Sequence, residues 1–131
     1  MPPPGVGEVA ALVARMRGTG VRVELTVTGT PVPLRAGVDL AAYRVVQEGL
    51  TNAVKHAAGA DVRLTLGYAP GALEIEVADT GGTPRPPAGS GSGRGLIGLR
   101  QRLAVYGGTL QAGQQPAGGY VLRATIPLEQ E

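Results

Sequence analysis

Glu48 and Asn52 are the residues whose types and spacing first suggest chemistry on phosphates. They lie four positions apart, so an α-helix places them one turn apart on the same face. A carboxylate can orient or deprotonate a nucleophile, and an amide oxygen is a hard ligand that suits Mg²⁺. Lys55 adds a cation at the same edge, next to His56, the one histidine of the chain. Taken alone, these residues are more simply explained as the solvated face of a helix.

Asp79 is a second candidate because of the strand that precedes it. Leu73, Ile75 and Val77 alternate with polar residues, and Asp79 continues their parity, which directs its carboxylate toward the buried face. A buried carboxylate that lacks a hydrogen-bond donor costs several kcal/mol. The exocyclic amine of a bound base would supply a donor, and so would the following turn if the carboxylate caps it. The sequence leaves both explanations open.

A glycine-rich segment at residues 91–99, Gly-Ser-Gly-Arg-Gly-Leu-Ile-Gly-Leu, leads into a predicted helix. Free amides at a helix N-terminus bind anions, and glycines allow a phosphate to approach the backbone. The segment lacks the strand–turn–helix context of a dinucleotide-binding fingerprint, and the chain contains no Gly-Lys-Ser/Thr P-loop. A flexible connector is the alternative interpretation.

Hydrophobic periodicity predicts the elements that must position these residues. Alternating residues predict five strands, at residues 21–27, 62–68, 73–77, 109–112 and 120–126. Helical spacing predicts three helices: residues 6–16, ended by Gly18 and Gly20; about 39–59, with Asp39 as N-cap; and one that carries Leu96, Leu99, Leu103 and Tyr106. The second and third strands form a hairpin, and the glycine-rich residues 80–95 form a mobile loop.

The apolar stripe of the second helix is expected to pack on the sheet. It consists of Tyr43, Val46, Leu50, Ala53, Val54 and Ala57. The order of the elements along the chain places hairpins next to each other. It predicts an α+β fold: a two-layer α/β sandwich with a mixed, mostly antiparallel sheet that helices cover on one face.

Composition agrees with one globular domain of 131 residues and excludes several classes of protein. With no Phe or Trp and four Tyr, the core must be aliphatic. The absence of cysteine excludes disulfides, thiol redox chemistry and cysteine-based zinc sites. The net charge of +2 includes arginines scattered between Arg15 and Arg123, which argues against nucleic acid as a partner. No apolar run approaches the ~20 residues of a membrane-spanning helix, and residues 1–5 are expected to be a linker rather than a signal peptide.

Together, the Glu48–Asn52 helix, Asp79 and the glycine-rich segment resemble the sequence motifs of one ATPase superfamily. DNA gyrase, the ninety-kilodalton heat-shock chaperones, sensor histidine kinases and the mismatch-repair protein MutL share it. Residues 47–57, Gln-Glu-Gly-Leu-Thr-Asn-Ala-Val-Lys-His-Ala, resemble the N box of this family. Residues 79–81, Asp-Thr-Gly, resemble its G1 box, and residues 93–99, Gly-Arg-Gly-Leu-Ile-Gly-Leu, its G2 box. Residues 43–57 together with 95–103 are similar to the sensor kinases that act with LuxR-type response regulators.

The resemblance covers about residues 21–128 and implies a Bergerat-type ATP-binding fold. It implies that Asn52 coordinates the Mg²⁺ that bridges the phosphates of ATP, and that Glu48 polarises or deprotonates the incoming phosphoacceptor histidine. Asp79 would accept a hydrogen bond from the adenine amino group, and Gly81 would let the base, of ATP or ADP, lie close. The phosphates would be lined or held by the remaining residues of the N and G2 boxes: Lys55, His56, Gly93, Gly95, Leu96 and Gly98.

Two departures from the family pattern carry expectations of their own. Thr80 stands where this family usually has Asn or Asp, and no spaced second glycine follows, so the pattern predicts weaker nucleotide binding. No phosphoacceptor helix is recognisable, and His56 cannot serve because it lies within the N box. We therefore expect residues 1–20 to be a linker and helix that join a dimerisation domain outside this chain, and residues 21–131 to be the ATP-binding catalytic domain.

The resemblance implies an enzyme, an ATP-dependent protein-histidine kinase that transfers the γ-phosphoryl group to a histidine on a separate phosphoacceptor and dimerisation domain. Its expected partners are those helices and a response regulator, with no contact of this domain to nucleic acid or membrane. The isolated domain is expected to be monomeric and cytoplasmic, either free or as the cytoplasmic part of a membrane-anchored sensor. Two alternatives stay open: an anti-sigma-factor-type serine kinase on the same scaffold, and a degenerate nucleotide-binding interaction module.

Overall fold

Helices and strands follow one another in the predicted order in a computed structural model, which describes residues 5–56, 59, 61–81, 91–116 and 118–128. For residue 56 and residues 91–94 the backbone alone is described. The elements are a short 3-10 helix at Val6–Glu8, then α1 (Val9–Gly18), β1 (Arg22–Gly29), α2 (Ala36–His56), β2 (Asp61–Ala69), β3 (Ala72–Asp79), α3 (Gly91–Ala104), β4 (Thr109–Gln114) and β5 (Tyr120–Pro127).

The strands form one mixed sheet in the order β1-β2-β3-β5-β4. β1 pairs with β2 in parallel, and the other neighbouring pairs are antiparallel, including the predicted hairpin of β2 and β3. One face of the sheet is buried under the helices, through Val23, Val62, Leu64, Leu66, Leu73, Ile75, Val77, Leu110, Leu122, Ala124 and Ile126. The opposite face carries polar residues such as Glu76 and Arg123, which form a 2.7 Å ion pair. The predicted two-layer α+β fold is confirmed.

The buried face of α2 is wider than the stripe predicted around Leu50. Most members of that stripe are buried, but Val54 is 40% exposed, and Ala57 lies outside the described residues. The burial of Val54 was therefore wrongly predicted. The face is shifted toward Gly49, because the helix backbone rests on β3 at that point. A Cβ at Gly49 would lie 2.7 Å from Cγ2 of Val77.

Asp39 lies inside the first turn of α2, which begins at Ala36. The prediction that Asp39 is the N-cap of this helix is wrong. Its Oδ1 instead accepts a hydrogen bond from the Val6 amide at 2.6 Å, and its carboxylate rests against Gly5. The physical reason is that the amides at the start of the 3-10 helix need an acceptor, and Asp39 supplies one from another element.

The glycine-rich residues 91–95, predicted as part of a mobile loop, form the start of α3, so that part of the prediction is wrong. The preceding residues 82–90 lie outside the described part of the chain. A glycine costs up to about 1 kcal/mol in a helix relative to alanine. Burial of Leu96, Leu99 and Leu103 offsets that cost, because it anchors the rest of α3 on the core.

α1 belongs to the same core as the sheet. Val9, Leu12 and Val13 are buried in it. Arg17 donates from Nε at 3.0 Å and from Nη2 at 2.8 Å to the carbonyl of Val23 in the edge strand β1. The expected role of α1 as a connection to a dimerisation domain stays a prediction. None of the described helices is both long enough and apolar enough to cross a membrane.

A cavity of about 1130 Å³ lies where α2 begins and α3 ends. Val38, Tyr68 and Tyr106 are among the residues that line it. Burial, and secondarily the negative charge of Asp39, raise the pKa of the Tyr68 phenol above its ordinary value of 10.0. We call this side of the sandwich the cavity end.

Candidate nucleotide-binding site

The N box and the G1 box converge at the end of the sandwich opposite the cavity end. α2 begins at the cavity end, and its Gly49 packs on Val77 near the end of β3. α2 therefore runs in the same direction as β3. This direction carries Glu48 and Asn52 toward the end of the strand at Asp79.

α3 begins at this same end of the sandwich and runs in the direction opposite to α2. The hydroxyl of Tyr106, just beyond the end of α3, lies against Gly37 at the start of α2. At the other end of α3, Gly95 lies against the carboxylate of Glu48. A Cβ at Gly95 would be 2.8 Å from Glu48 Oε1. The glycine-rich start of α3 therefore covers Glu48 closely, and any side chain at position 95 would displace the carboxylate.

Asp79 is half-buried at the end of β3, on the face that its parity predicts. Its Oδ1 accepts hydrogen bonds from the amide of Gly81 at 2.9 Å and from the amide of Tyr120 at 3.2 Å. The first is the turn-capping bond that the sequence left open. The second comes from β5, and no local pattern predicts it. Neither bond involves Oδ2, so turn capping leaves this oxygen to be used by a ligand.

The turn between β4 and β5 packs directly on the G1 segment. Gly81 has φ +96°, and a Cβ there would lie 2.7 Å from the amide nitrogen of Gly119. Gly119 has φ +93°, and a Cβ on it would collide with the carbonyl of Asp79. Both positions therefore require glycine, for conformation and for space. The pair Gly118-Gly119 next to the first residue of β5 is the sequence signal that could have revealed this contact.

Thr80 does not face the site. Its amide donates to the carbonyl of Asp61 at 3.0 Å, and its Oγ1 accepts from the amide of Asp61 at 3.0 Å. These two reciprocal bonds tie the end of β3 to the start of β2. The residue that departs from the family pattern therefore has a structural partner of its own.

Asn52 is the one buried polar or charged side chain among the described residues, at 6% exposure. The solvated-face explanation of the sequence is therefore wrong for Asn52, although Glu48 remains partly exposed. No side-chain nitrogen or oxygen that is fully enclosed in the described part of the chain lacks a hydrogen-bond partner. An amide held at this depth, one helical turn beyond Glu48, suits a role as a ligand-binding group.

The residues predicted to lie on the phosphate side differ in their placement. Lys55 is exposed, and the backbone of His56 ends α2. Gly93 lies in the first turn of α3, where the amides have no helical partner and can bind an anion. Leu96 and Gly98 lie beyond the first turn of α3, so their amides pair with carbonyls inside the helix. The side chain of Leu96 is buried in the core. All these roles stay predictions.

The donor set agrees with Mg²⁺ held together with phosphates. No group of three or more His, Cys, Asp or Glu side chains that could hold a metal occurs among the described residues. Mg²⁺ in phosphate-binding sites takes only one or two protein ligands and completes its shell with phosphate oxygens and water. The amide oxygen of Asn52 fits that requirement.

Comparisons with known proteins agree with this geometry. Residues 37–130 match the family model described as Histidine kinase-, DNA gyrase B-, and HSP90-like ATPase. The chain is 30% identical over 130 residues to Sensor histidine kinase NarS of Mycobacterium tuberculosis, a match that covers 96% of this chain and 29% of NarS. It is 27% identical over 113 residues to Sensor histidine kinase LnrJ of Bacillus subtilis, covering 86% of this chain and 27% of LnrJ.

Solved structures share the fold. Full-length ShkA, determined in complex with AMPPNP, superimposes with a TM-score of 0.71 at 25% identity, over 95% of this chain and 29% of ShkA. This chain therefore corresponds to less than a third of the length of NarS, LnrJ and ShkA. Because the family model covers most of its residues, the chain belongs to the histidine kinase-, DNA gyrase B- and HSP90-like ATPase family.

Proposed function

We propose that this chain is the ATP-binding catalytic domain of a sensor histidine kinase, which transfers the γ-phosphoryl group of ATP to a histidine on a separate phosphoacceptor domain. The observation that carries the proposal is the carboxylate of Asp79, which the amides of Gly81 and Tyr120 hold at the end of β3. The similarity to NarS and to ShkA, which was solved in complex with AMPPNP, supports it.

In this proposal Asp79 recognises adenine. Two backbone amides engage Oδ1, and Oδ2 accepts a hydrogen bond from the amino group of the base. Gly81, which carries no side chain beside the strand end, leaves room for the base. Guanine presents a carbonyl at the equivalent ring position, so a carboxylate in this place disfavours it by acceptor–acceptor repulsion.

Asn52 and Glu48 act on the phosphate side. Asn52 is the protein ligand of Mg²⁺, which when bound neutralises charge on the phosphates. Glu48 orients or accepts the N–H proton of the incoming imidazole, which leaves a ring nitrogen free to bond to the γ-phosphorus. The bond to the β–γ bridging oxygen breaks, and ADP leaves with its electron pair. The first amides of α3, including that of Gly93, hold phosphate oxygens.

The partners follow from this chemistry. The phosphoacceptor histidine lies on dimerisation helices of the same kinase, and the phosphoryl group then passes to a response regulator of the LuxR-type class. α1 joins the catalytic domain to those helices. The domain alone is monomeric, contacts neither nucleic acid nor membrane, and works in the cytoplasm.

Asp79→Asn tests the proposal. Asparagine keeps an Oδ1 that accepts from both amides, so the fold and the melting temperature are expected to change little. It replaces Oδ2 by a donor, which faces the amino group of adenine. Losing a hydrogen bond to a charged group costs about 1.5–3 kcal/mol, so affinity for Mg-ADP should fall roughly ten- to hundredfold in titration calorimetry. Unchanged affinity would remove Asp79 from the site.

The acceptor residue separates this function from a serine kinase on the same scaffold. Incubation with radiolabelled ATP and a histidine-bearing helical pair should label that pair, and the label should be lost in acid, because a phosphoramidate hydrolyses there. An acid-stable label on a serine would favour the alternative kinase. Failure to bind Mg-ADP at millimolar concentration would contradict both kinase functions.

A further inference from the structure

Tyr120 is the first residue of β5 and lies at the end of the sheet opposite the cavity end, where Asp79 also lies. Leu122, Ala124 and Ile126 follow it at alternate positions and are all buried under the helices. Because side chains alternate across a strand, Tyr120 is on the same face as these residues. Its side chain is half-buried there.

The register places Tyr120 opposite Asp79. Val77 pairs with Leu122, and Ala78 forms the last pair of this ladder with Val121, so the same register continued by one residue brings Asp79 opposite Tyr120. Side chains of directly opposed residues share a face, with Cβ atoms about 5 Å apart. The hydrogen bond from the Tyr120 amide to Asp79 Oδ1, at 3.2 Å, fixes this neighbourhood independently.

The other tyrosines cannot reach this place. The chain contains four tyrosines and neither Phe nor Trp. Tyr43 is buried in the core at 6% exposure, and Tyr68 and Tyr106 line the cavity at the opposite end of the molecule. Tyr120 is therefore the one tyrosine beside the carboxylate proposed to bind the base.

We propose that the ring of Tyr120 packs on the purine whose amino group Asp79 accepts, which makes Tyr120 a base-contact residue of the nucleotide site. This inference rests on the proposed function. Asp79 accepts a hydrogen bond at the edge of the base. The half-buried aromatic ring next to it offers an apolar face, which a purine ring contacts favourably. The Tyr120 amide that orients Asp79 and the Tyr120 ring that contacts the base thus belong to one residue.

Substitutions of the side chain separate these two contributions, because the amide survives them. Tyr120→Leu removes the ring and is expected to weaken Mg-ADP binding about tenfold, within the range that loss of a base-stacking aromatic produces. Tyr120→Phe keeps the ring and should recover most of that affinity. Tyr68→Leu is the matched control: a half-buried tyrosine of the same sheet face at the cavity end, whose loss should leave ADP affinity within about twofold of wild type.

A direct readout on the unmodified site uses 3-fluorotyrosine and fluorine NMR. The four tyrosines give resonances that single Tyr→Phe variants assign. Mg-ADP should shift the Tyr120 resonance most, while those of Tyr68 and Tyr106 move little. This measurement remains decisive if Tyr120→Leu fails to fold.

The outcomes distinguish the two proposals. Wild-type ADP affinity in folded Tyr120→Leu, or a Tyr120 resonance that ADP leaves in place, overturns the role of Tyr120 while the nucleotide site stands. Tighter binding in Tyr120→Leu overturns it as well, since the ring would then obstruct the base. Absence of ADP binding by the wild-type domain overturns both.

Discussion

At the residue scale, Thr80 illustrates how a departure from a family pattern can be structural. Its amide and hydroxyl both bond to the backbone of Asp61, so its side chain is directed at β2 rather than at the face where Asp79 lies. The weaker nucleotide binding expected from the pattern therefore has no support in the direction of this side chain. The two bonds hold the strand end from which Asp79 projects.

Thr80→Val keeps the shape of the side chain and removes its acceptor. We expect stability to fall by about 1 kcal/mol, the net value of one hydrogen bond, and ADP affinity to fall about threefold as the strand end loosens. Thr80→Ser, which retains the hydroxyl, is the control. Thermal unfolding and calorimetry measure the two effects. Tighter ADP binding in Thr80→Val would show that the threonine itself limits affinity.

Glu48→Gln tests whether Glu48 acts in phosphoryl transfer rather than in nucleotide binding. The carboxylate lies against Gly95, and a glutamine of the same size can occupy that space. Mg-ADP affinity should therefore change little. Transfer of label from ATP to an added histidine-bearing helical pair should slow about a hundredfold or more, as expected when a general base is removed. A normal transfer rate would leave Glu48 with a solvating role only.

At the element scale, glycines determine how closely the helices approach their neighbours. Gly49 lets the backbone of α2 rest on Val77 of β3, and Gly95 lets α3 rest on Glu48. Beyond the backbone of α3 itself, a Cβ at Gly98 would meet nothing within 4 Å in the described part of the chain. Only the first two of these helical glycines are required by packing.

Gly49→Ala and Gly98→Ala form a matched pair for measuring this difference. The new methyl group at position 49 would meet Val77 at 2.7 Å, so we expect a loss of about 1–3 kcal/mol from overpacking. At position 98 the methyl group meets none of the described residues within 4 Å, and alanine should stabilise α3 by about 0.5–1 kcal/mol. Urea denaturation of both variants gives the free energies. Equal effects in the two variants would contradict the packing role of Gly49.

At the scale of the whole molecule, α1 is part of the domain's core even though the sequence suggests a connecting segment. Three of its side chains are buried with those of the sheet, and Arg17 binds the carbonyl of Val23 on the edge strand. Domain stability therefore depends on the segment expected to lead to the phosphoacceptor helices.

Deletion of residues 1–20 should destabilise the domain severely. Burial of one aliphatic side chain is worth about 1.5–3 kcal/mol, so losing Val9, Leu12 and Val13 removes about 5 kcal/mol or more, comparable with the ~5–15 kcal/mol that stabilises a typical domain. Val13→Ala, expected to cost about 2 kcal/mol, serves as a milder control. Urea denaturation followed by circular dichroism measures both. A cooperative transition of wild-type midpoint in the truncated chain would show that α1 is dispensable.

Local patterns were sufficient for the kind and order of the elements and for part of the site, but not for the starts of α2 and α3. Alternation in β2 and β3 and their short turn predicted the hairpin, because both signals lie within a few residues of each other. The same alternation predicted the face of Asp79. The three motif segments identified the family before any contact was known. These features could be predicted because side-chain direction in a strand or helix depends on nearby backbone geometry alone.

Contacts between distant segments decided the rest. Asp39 caps a helix 33 residues away, and the amide of Tyr120 reaches Asp79 across 41 residues. The burial of Asn52 and the exposure of Val54 depend on where Gly49 lets α2 settle on β3. The sequence by itself thus determined the kind and order of the elements, the family and the candidate ligand-binding residues. Only the tertiary structure decided which backbone amides donate to Asp79 and that Tyr120 is its neighbour, because β3 and β5 come together only when the sheet forms.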